Sequence, residues 1–264
     1  MYVDKFAVQK ADQAAVIMAE TGETLTYQQF DQRSNQVAHL LRSEGLKRLD
    51  HYSVFMENSI YYPEICGAGE RSGLYYTCIN SYLTADELAY IINNSESQII
   101  FTSTAKSRTL KEALAQCPNV KRCYVIGDID ADLNDDRFKS YHDAIEDLPT
   151  TPVADESLGT SMLYSSGTTG RPKGILRPLE ELPPSDSLPM MTFLKNLWQY
   201  REDMIYLSPA PLYHSAPQAA VGLTLRAGGT VVIMEKFDPA KYLDYISQYA
   251  VTHSQLVPTM FSRM

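Results

Sequence analysis

The stretch Thr84-Ala85-Asp86-Glu87-Leu88-Ala89-Tyr90-Ile91-Ile92 decides the fold class together with three segments downstream of it: Gln98-Ile99-Ile100-Phe101-Thr102, residues 105–116, and Cys123-Tyr124-Val125-Ile126. Thr84 through Glu87 is a capping box. The threonine hydroxyl can accept from the third helical amide while the glutamate reaches back to the threonine amide. Leu88, Ile91 and Ile92 then share one helical face. The apolar run at 98–102 reads as a buried strand, 105–116 as a second helix and 123–126 as another strand. Strands separated by helices of this length imply parallel βαβ units, with helices covering a sheet.

The alternation extends both ways from this stretch. Upstream, Thr26-Tyr27-Gln28-Gln29 is another capping box, Phe30, Val37 and Leu41 lie on one helical face, and Gly45 offers a left-handed stop. Residues 53–56 read as a strand and 74–79 as the next. Between them, 59–72 read as a helix whose Gly67, Ala68 and Gly69 allow close approach to a neighbour. Downstream, 203–208 read as a strand, 217–226 as a helix closed by Gly228 and Gly229, and 230–234 as a strand. Residues 239–249 read as a helix with proline in its first turn, and 254–257 as a last strand. Residues 259–264 look like a helix just starting, so the chain is expected to be cut inside an element. Ten of the 14 prolines fall between Pro149 and Pro217, which predicts a loop-rich stretch there. The expectation is an α/β protein with parallel-rich sheets flanked by helices in layered subdomains. The first would span residues 1–160. The second, 161–264, would contain a phosphate-binding loop.

Composition narrows the function classes. The 264 residues carry 23 Lys+Arg against 32 Asp+Glu, a net charge of −9, with 44% hydrophobic and 21% charged residues. These are ordinary values for a folded chain with a real core. No block of Lys and Arg is available to release counterions from a nucleic acid, so none is expected as a partner. A local cationic site for a nucleotide is compatible with the acidic balance. No apolar run reaches the roughly 18 residues of a membrane-spanning helix. The opening MYVDKFAVQKADQAAV lacks the charged start and unbroken apolar core of a signal peptide. Cys66, Cys78, Cys117 and Cys123 form neither CxxC nor zinc spacing. They read as reduced core thiols of a cytoplasmic protein.

One segment stands apart: Met162-Leu163-Tyr164-Ser165-Ser166-Gly167-Thr168-Thr169-Gly170-Arg171-Pro172-Lys173-Gly174. Four hydroxyl side chains and three glycines surround one lysine, directly after an apolar strand signal. Glycines let a backbone approach a ligand closely, consecutive amides in such a turn form an anion-binding concavity, and Lys173 adds a mobile positive charge. This is chemistry suited to a polyphosphate. The spacing is not that of a GxxxxGK[ST] loop. The competing reading, a solvated Ser/Thr/Gly loop, sits poorly with the ordered spacing and the fixed Pro-Lys-Gly end.

Residues 162–173 closely resemble the phosphate-binding signature of the adenylate-forming superfamily, which includes acyl-CoA synthetases, aryl-acid ligases and peptide-synthetase adenylation domains. The resemblance extends along the chain through Leu25-Thr26-Tyr27, Arg33, Asn35, Ile79-Asn80 and Leu83 to Leu88. Pro211-Leu212-Tyr213-His214 resembles the motif that lines the acyl pocket, in a form most like fatty-acyl-CoA synthetases. The resemblance implies a two-step ligase. A carboxylate attacks the α-phosphorus of Mg·ATP and releases pyrophosphate, and coenzyme A then takes the acyl group. It implies that Ser165, Ser166, Gly167, Thr168, Thr169 and Gly170 hold the β- and γ-phosphates. Lys173 would neutralise them, Lys173 and Thr168 would be the catalytic candidates, and His214 would wall the acid. Two departures from the family pattern stand out: Pro217 where a glycine is frequent, and Asp50 where glycine is usual. The family's later motifs, for adenine, ribose and Mg2+, are not in the chain, so no metal ligand can be named. The fragment alone is expected to be inactive. A catalytically incompetent nucleotide- or acyl-binding module, and an enzyme loading a carrier protein, are the alternatives. The acid is left open between fatty, steroidal and aryl, and so is the oligomeric state.

Overall fold

The computed structural model describes residues 1–165, 171–186 and 189–264. In chain order its elements begin α1 (Asp4–Gln9), β1 (Ala14–Met18), β2 (Thr24–Thr26), α2 (Tyr27–Ser43), β3 (His51–Phe55), α3 (Tyr61–Arg71), β4 (Tyr75–Cys78), α4 (Ala85–Asn94), β5 (Ile99–Ser103) and α5 (Thr104–Leu114). They continue with β6 (Arg122–Ile126), β7 (Phe138–Ser140), α6 (Tyr141–Ile145), β8 (Thr160–Ser161), β9 (Leu163–Ser165), β10 (Lys173–Ile175) and α7 (Pro189–Leu197). The last are β11 (Ile205–Ser208), α8 (Ser215–Ala227), β12 (Thr230–Ile233), α9 (Pro239–Gln248), β13 (His253–Ser254) and α10 (Pro258–Phe261). The α/β class expected from the alternation is what the chain adopts.

The chain divides into two compact units that interleave in sequence. The first comprises Met1–Ser34, Asn58–Gly67 and Ser185–Met264, and the second Asn35–Glu57 and Ala68–Pro184. The junction expected at residue 160 falls within the second unit.

The first unit carries a five-stranded sheet in the order β13-β11-β12-β1-β2. All neighbours are parallel except the β1–β2 pair. β12 is buried at every position, as a strand covered on both sides must be. Leu207 and Val232 of the sheet pack with Tyr242 and Tyr245 of α9. α8 is buried along most of its length. It stops at Gly228, whose φ of +84° is a left-handed conformation that glycine adopts freely. β1 and β2 were not foreseen. Ala14–Met18 is an apolar run of five residues, too short to tell strand from helix by periodicity, and its partner β12 lies some two hundred residues away. The last strand is shorter than expected. Only His253 and Ser254 pair with β11, because residues 255–257 leave the sheet to enter α10 at Pro258.

The second unit carries a six-stranded, wholly parallel sheet in the order β7-β6-β5-β3-β4-β8. β5 is buried throughout. Leu88, Ile91 and Ile92 of α4 pack in one core with Ile100 of β5 and Leu110 and Leu114 of α5. The α4 capping box forms as read: the Glu87 amide donates to Thr84 Oγ1 and the Thr84 amide to Glu87 Oε2 at 2.9 Å. Asp50 has a local use. Its carboxylate accepts the Lys47 amide at 2.7 Å and closes the turn into β3, just after Leu49 at φ +75°.

Two glycines let the sheet accept β8. A Cβ on Gly69 would lie 2.5 Å from Tyr52 Oη and 2.8 Å from Tyr76 Cδ1. A Cβ on Gly159 would run into the backbone carbonyls of Gly69 and Leu74. In that bare space the Gly159 amide donates to Glu70 O (2.9 Å), followed by Thr160 N to Leu74 O (3.1 Å) and Met162 N to Tyr76 O (2.9 Å). We expect Gly159→Ala to lower the free energy of unfolding by about 1–3 kcal/mol, the usual cost of an extra methyl in a packed site. Backbone offers less give than side chains, so the upper end is expected. Urea denaturation checks it, and an unchanged midpoint would contradict the close approach.

Candidate functional site

The singled-out segment forms the stem of a hairpin in the second unit. β9 and β10 are antiparallel, with Ser165 opposite Lys173, Tyr164 opposite Gly174 and Leu163 opposite Ile175. Both Ser165 and Lys173 are exposed. Residues 166–170, on which the expectations for Ser166, Gly167, Thr168, Thr169 and Gly170 fall, lie outside the described residues.

The stem is tied down on both sides. Upstream, β8 is zipped to β4 by the amides of Thr160 and Met162. Downstream, Tyr75 Oη donates to Arg177 O at 2.6 Å, Arg48 Nη2 to Leu179 O at 2.6 Å, and Leu158 N to Leu182 O at 2.7 Å. Tyr164 Oη donates to Asn94 Oδ1 at 2.7 Å. Burial raises the pKa of this phenol, so it remains a donor at neutral pH. Two exposed cations, Arg171 and Lys173, stand at the mouth of the stem, in a chain whose net charge is −9. The arrangement can present positive charge and the Ser165 hydroxyl to an anion from a braced base.

His214 belongs to the first unit. It is the N-cap residue of α8, its side chain makes no capping hydrogen bond, and its ring lies 4.5 Å from that of Tyr213. Although the residue is exposed, partial desolvation of the ring lowers its pKa from the ordinary value of 6.5, which favours the neutral imidazole at pH 7. Pro217 fits without distortion because it sits in the first turn, where its missing N–H has no intrahelical acceptor to lose.

The segment leading to His214 is held by a residue that the sequence did not single out. Asn58 is buried, donates from Nδ2 to Ala210 O (3.1 Å) and Met234 O (2.9 Å), and accepts from the Leu212 amide at Oδ1 (2.8 Å). Its one amide group thus joins the chain after β11 to the end of β12. No local pattern marks such a residue, because all its partners are more than 150 positions away.

The remaining candidates for chemistry are quiet. All four cysteines are free thiols. Burial pushes the Cys117 thiol up to about 11 and the Cys123 thiol further in the same direction, so neither is a ready thiolate at neutral pH. Among the described residues no group of three His, Cys, Asp or Glu is placed to hold a metal ion. Among them, too, no helix is long and apolar enough to cross a membrane.

The family model described as AMP-binding enzyme matches residues 3–264. The chain is 31% identical over 249 residues to 4-coumarate–CoA ligase 2 of Petroselinum crispum, covering 94% of this chain and 45% of that protein. It is 27% identical over 249 residues to the fatty acid–[acyl-carrier-protein] ligase ScoC of Streptomyces coeruleorubidus, covering 92% and 45%. The crystal structure of the anthranilate CoA ligase AuaEII in complex with anthranoyl-AMP superposes with a TM-score of 0.84 at 20% identity, covering 99% of this chain and 50% of that one. This last likeness bears on fold alone. The chain spans somewhat less than half the length of these curated relatives.

Two outcomes are expected of these residues, each within its own unit. Asn58→Ala should lower stability by about 1–3 kcal/mol, since it strands the buried Leu212 amide and two carbonyls. Urea unfolding measures this, and a loss below the error of the method would mean that water replaces the amide. For His214, an NMR titration should give a midpoint below 6.5. His51 of the second unit, stacked on Tyr75 with centroids 4.9 Å apart, shifts the same way through burial, partly opposed by Glu96 and Asp50. Both are bases depressed in the folded state. Their contribution to stability is therefore complete above the ordinary histidine pKa and declines as pH falls through it. A His214 midpoint at or above 6.5 would contradict the desolvation.

Proposed function

The chain belongs to the AMP-binding enzyme family, and from that membership we propose that the protein carrying it is an ATP-dependent acid–thiol ligase, an acyl-CoA synthetase. On this reading a carboxylate oxygen attacks the α-phosphorus of ATP. Pyrophosphate leaves with the electrons of the broken P–O bond. The thiolate of coenzyme A then attacks the acyl carbon and AMP leaves. Relatives described as CoA ligases support the acid–thiol class. The observation that carries the proposal is the register of the hairpin. Lys173 stands across from Ser165 at the base of a Ser/Thr/Gly connection, which suits a cation facing the growing charge of the leaving pyrophosphate.

In this proposal Lys173 and the hydroxyls and amides of residues 165–170 bind and orient the β- and γ-phosphates. His214, largely neutral at pH 7, forms part of the acid's wall rather than a second cation. Mg2+ would accompany ATP, with its protein ligands outside the described residues. Four free thiols support a reducing compartment such as the cytoplasm. A second reading, transfer to a carrier-protein thiol in place of coenzyme A, is favoured by the relative described as a fatty acid–[acyl-carrier-protein] ligase. It uses the same first step.

The test is ATP–pyrophosphate exchange by the complete protein with a panel of fatty and aryl acids, followed by coenzyme A or a carrier protein as acceptor. Exchange with at least one acid, and a thioester with coenzyme A, is expected. No exchange with any acid would reduce the chain to a binding module. The 264-residue chain on its own is expected to form no acyl-CoA above blank. Lys173→Ala should slow single-turnover adenylation by roughly ten- to a hundredfold, since a charge-assisted hydrogen bond is worth about 1.5–3 kcal/mol. Lys173→Arg should recover part of the loss because it keeps the charge. An unchanged rate in Lys173→Ala would remove the central cation from the proposal.

A further inference from the structure

We infer that Tyr90 and Asn94, one turn apart on α4, are positioning residues that set the phosphate-binding hairpin by gripping both of its arms, at Tyr164 of β9 and at Pro172 just before β10. The inference rests on the phosphate-loop reading of residues 165–173 and adds to it two residues outside the loop.

α4 is well suited to be the rigid jaw. Its N-terminus is fixed by the Thr84–Glu87 capping box, and Leu88, Ala89, Ile91 and Ile92 bury its inner face. Residues four apart on a helix stand above one another on a single face, so Tyr90 and Asn94 form one edge. From that edge each reaches a different arm of the hairpin. The Tyr90 hydroxyl donates to the carbonyl of Pro172 at 3.0 Å. Its ring also carries the Arg171 guanidinium, 5.1 Å from the ring centroid. Asn94 accepts the Tyr164 hydroxyl at 2.7 Å.

Packing closes the same contact. A Cβ on Gly174 would lie 2.5 Å from Met162 Cε and 3.2 Å from both Asn94 Oδ1 and Tyr164 Cζ. The missing side chain therefore lets β10 lie flush against Asn94 and the Tyr164 ring.

What the grip fixes is the register and direction of Lys173. The Pro172 carbonyl belongs to the peptide that leads directly into Lys173, so holding it sets where the lysine leaves the backbone. A slip of one residue between β9 and β10 would turn Lys173 to the opposite face of the hairpin. Donors that face a polyphosphate act best when their spacing is set before the ligand arrives. A helix edge with two contacts, one to each arm of the hairpin, supplies that setting.

The experiment measures inorganic tripolyphosphate binding to the 264-residue chain by calorimetry, together with hydrogen exchange in peptides covering residues 160–178. The variants are Tyr90→Phe, Asn94→Ala, Lys173→Ala, and Tyr90→Phe combined with Lys173→Ala. Tyr90→Phe keeps the ring under Arg171 and removes only the hydroxyl. It should weaken tripolyphosphate binding about three- to tenfold, the range of one net hydrogen bond, and speed exchange in the stem by a similar factor. Asn94→Ala should speed exchange chiefly on the β9 side. A residue acting through Lys173 loses its effect once Lys173 is gone, so Tyr90→Phe should change little in the Lys173→Ala background. A residue serving only general stability would keep its full effect there. Unchanged affinity and exchange in Tyr90→Phe, or an undiminished effect in the double variant, overturns the positioning role while leaving the phosphate loop standing. A wild-type chain that does not bind tripolyphosphate, or a Lys173→Ala chain that binds as well as wild type, overturns the phosphate-loop reading and this inference with it.

Discussion

The backbone of residue 159 passes so close to the carbonyls of Gly69 and Leu74 that only hydrogen fits in place of a side chain. That contact admits β8 to the edge of the six-stranded sheet beside β4. The candidate site in the second unit depends on it throughout. The chain is delivered to β9 in a fixed direction, the Met162 amide is fixed on Tyr76, and the hairpin starts from a sheet rather than from solvent. Tyr75 of β4 and Arg48 in the turn before β3 then hold the returning chain at Arg177 and Leu179. The sequence between Ser165 and Arg171 consists of glycines and small hydroxyl residues. The stem is hard, built from sheet edge, helix edge and buried aromatic rings.

A comparable device operates in the first unit. The chain leaving β11 toward His214 is fixed by Asn58, a single buried amide that meets three backbone groups. A buried amide with its donors and acceptor satisfied costs little and defines geometry narrowly. In the first unit His214 follows the end of β11, the side of an α/β sheet where ligands are generally received, whereas in the second unit Ser165 closes β9 and Lys173 opens β10. Electrostatics adds to the geometry. The chain carries a net charge of −9, while Arg171 and Lys173 place two exposed cations on the hairpin.

Much of this was legible in the sequence because the signals were local. Both capping boxes are formed at Thr26–Gln29 and Thr84–Glu87, Gly45 adopts the left-handed stop read for it, Gly228 closes its helix, and Gly69 meets its close neighbours. What escaped reading depends on distant partners. β1 takes its place in the sheet between β2 and the distant β12. The last strand is cut to two residues by the departure of the chain into α10. Asn58, Tyr90 and Asn94 carry no motif, and their importance lies in which groups they meet after folding. The loop signature was visible because it is composition and spacing; the edge of α4 that braces it was not, because it is shape.

Whether Lys173 addresses the phosphates of ATP, the central proposal, is tested most directly by chemical capture. An acyl phosphate of ATP, in which the γ-phosphate carries an activated carbonyl, transfers its acyl group to a lysine amine held beside the phosphates and releases ATP. Peptide mass spectrometry of the labelled protein then identifies the lysine. The predicted result is an acyl mark on Lys173 that is lost in the presence of excess ATP. A mark confined to other lysines, or one on Lys173 that excess ATP does not reduce, would contradict it.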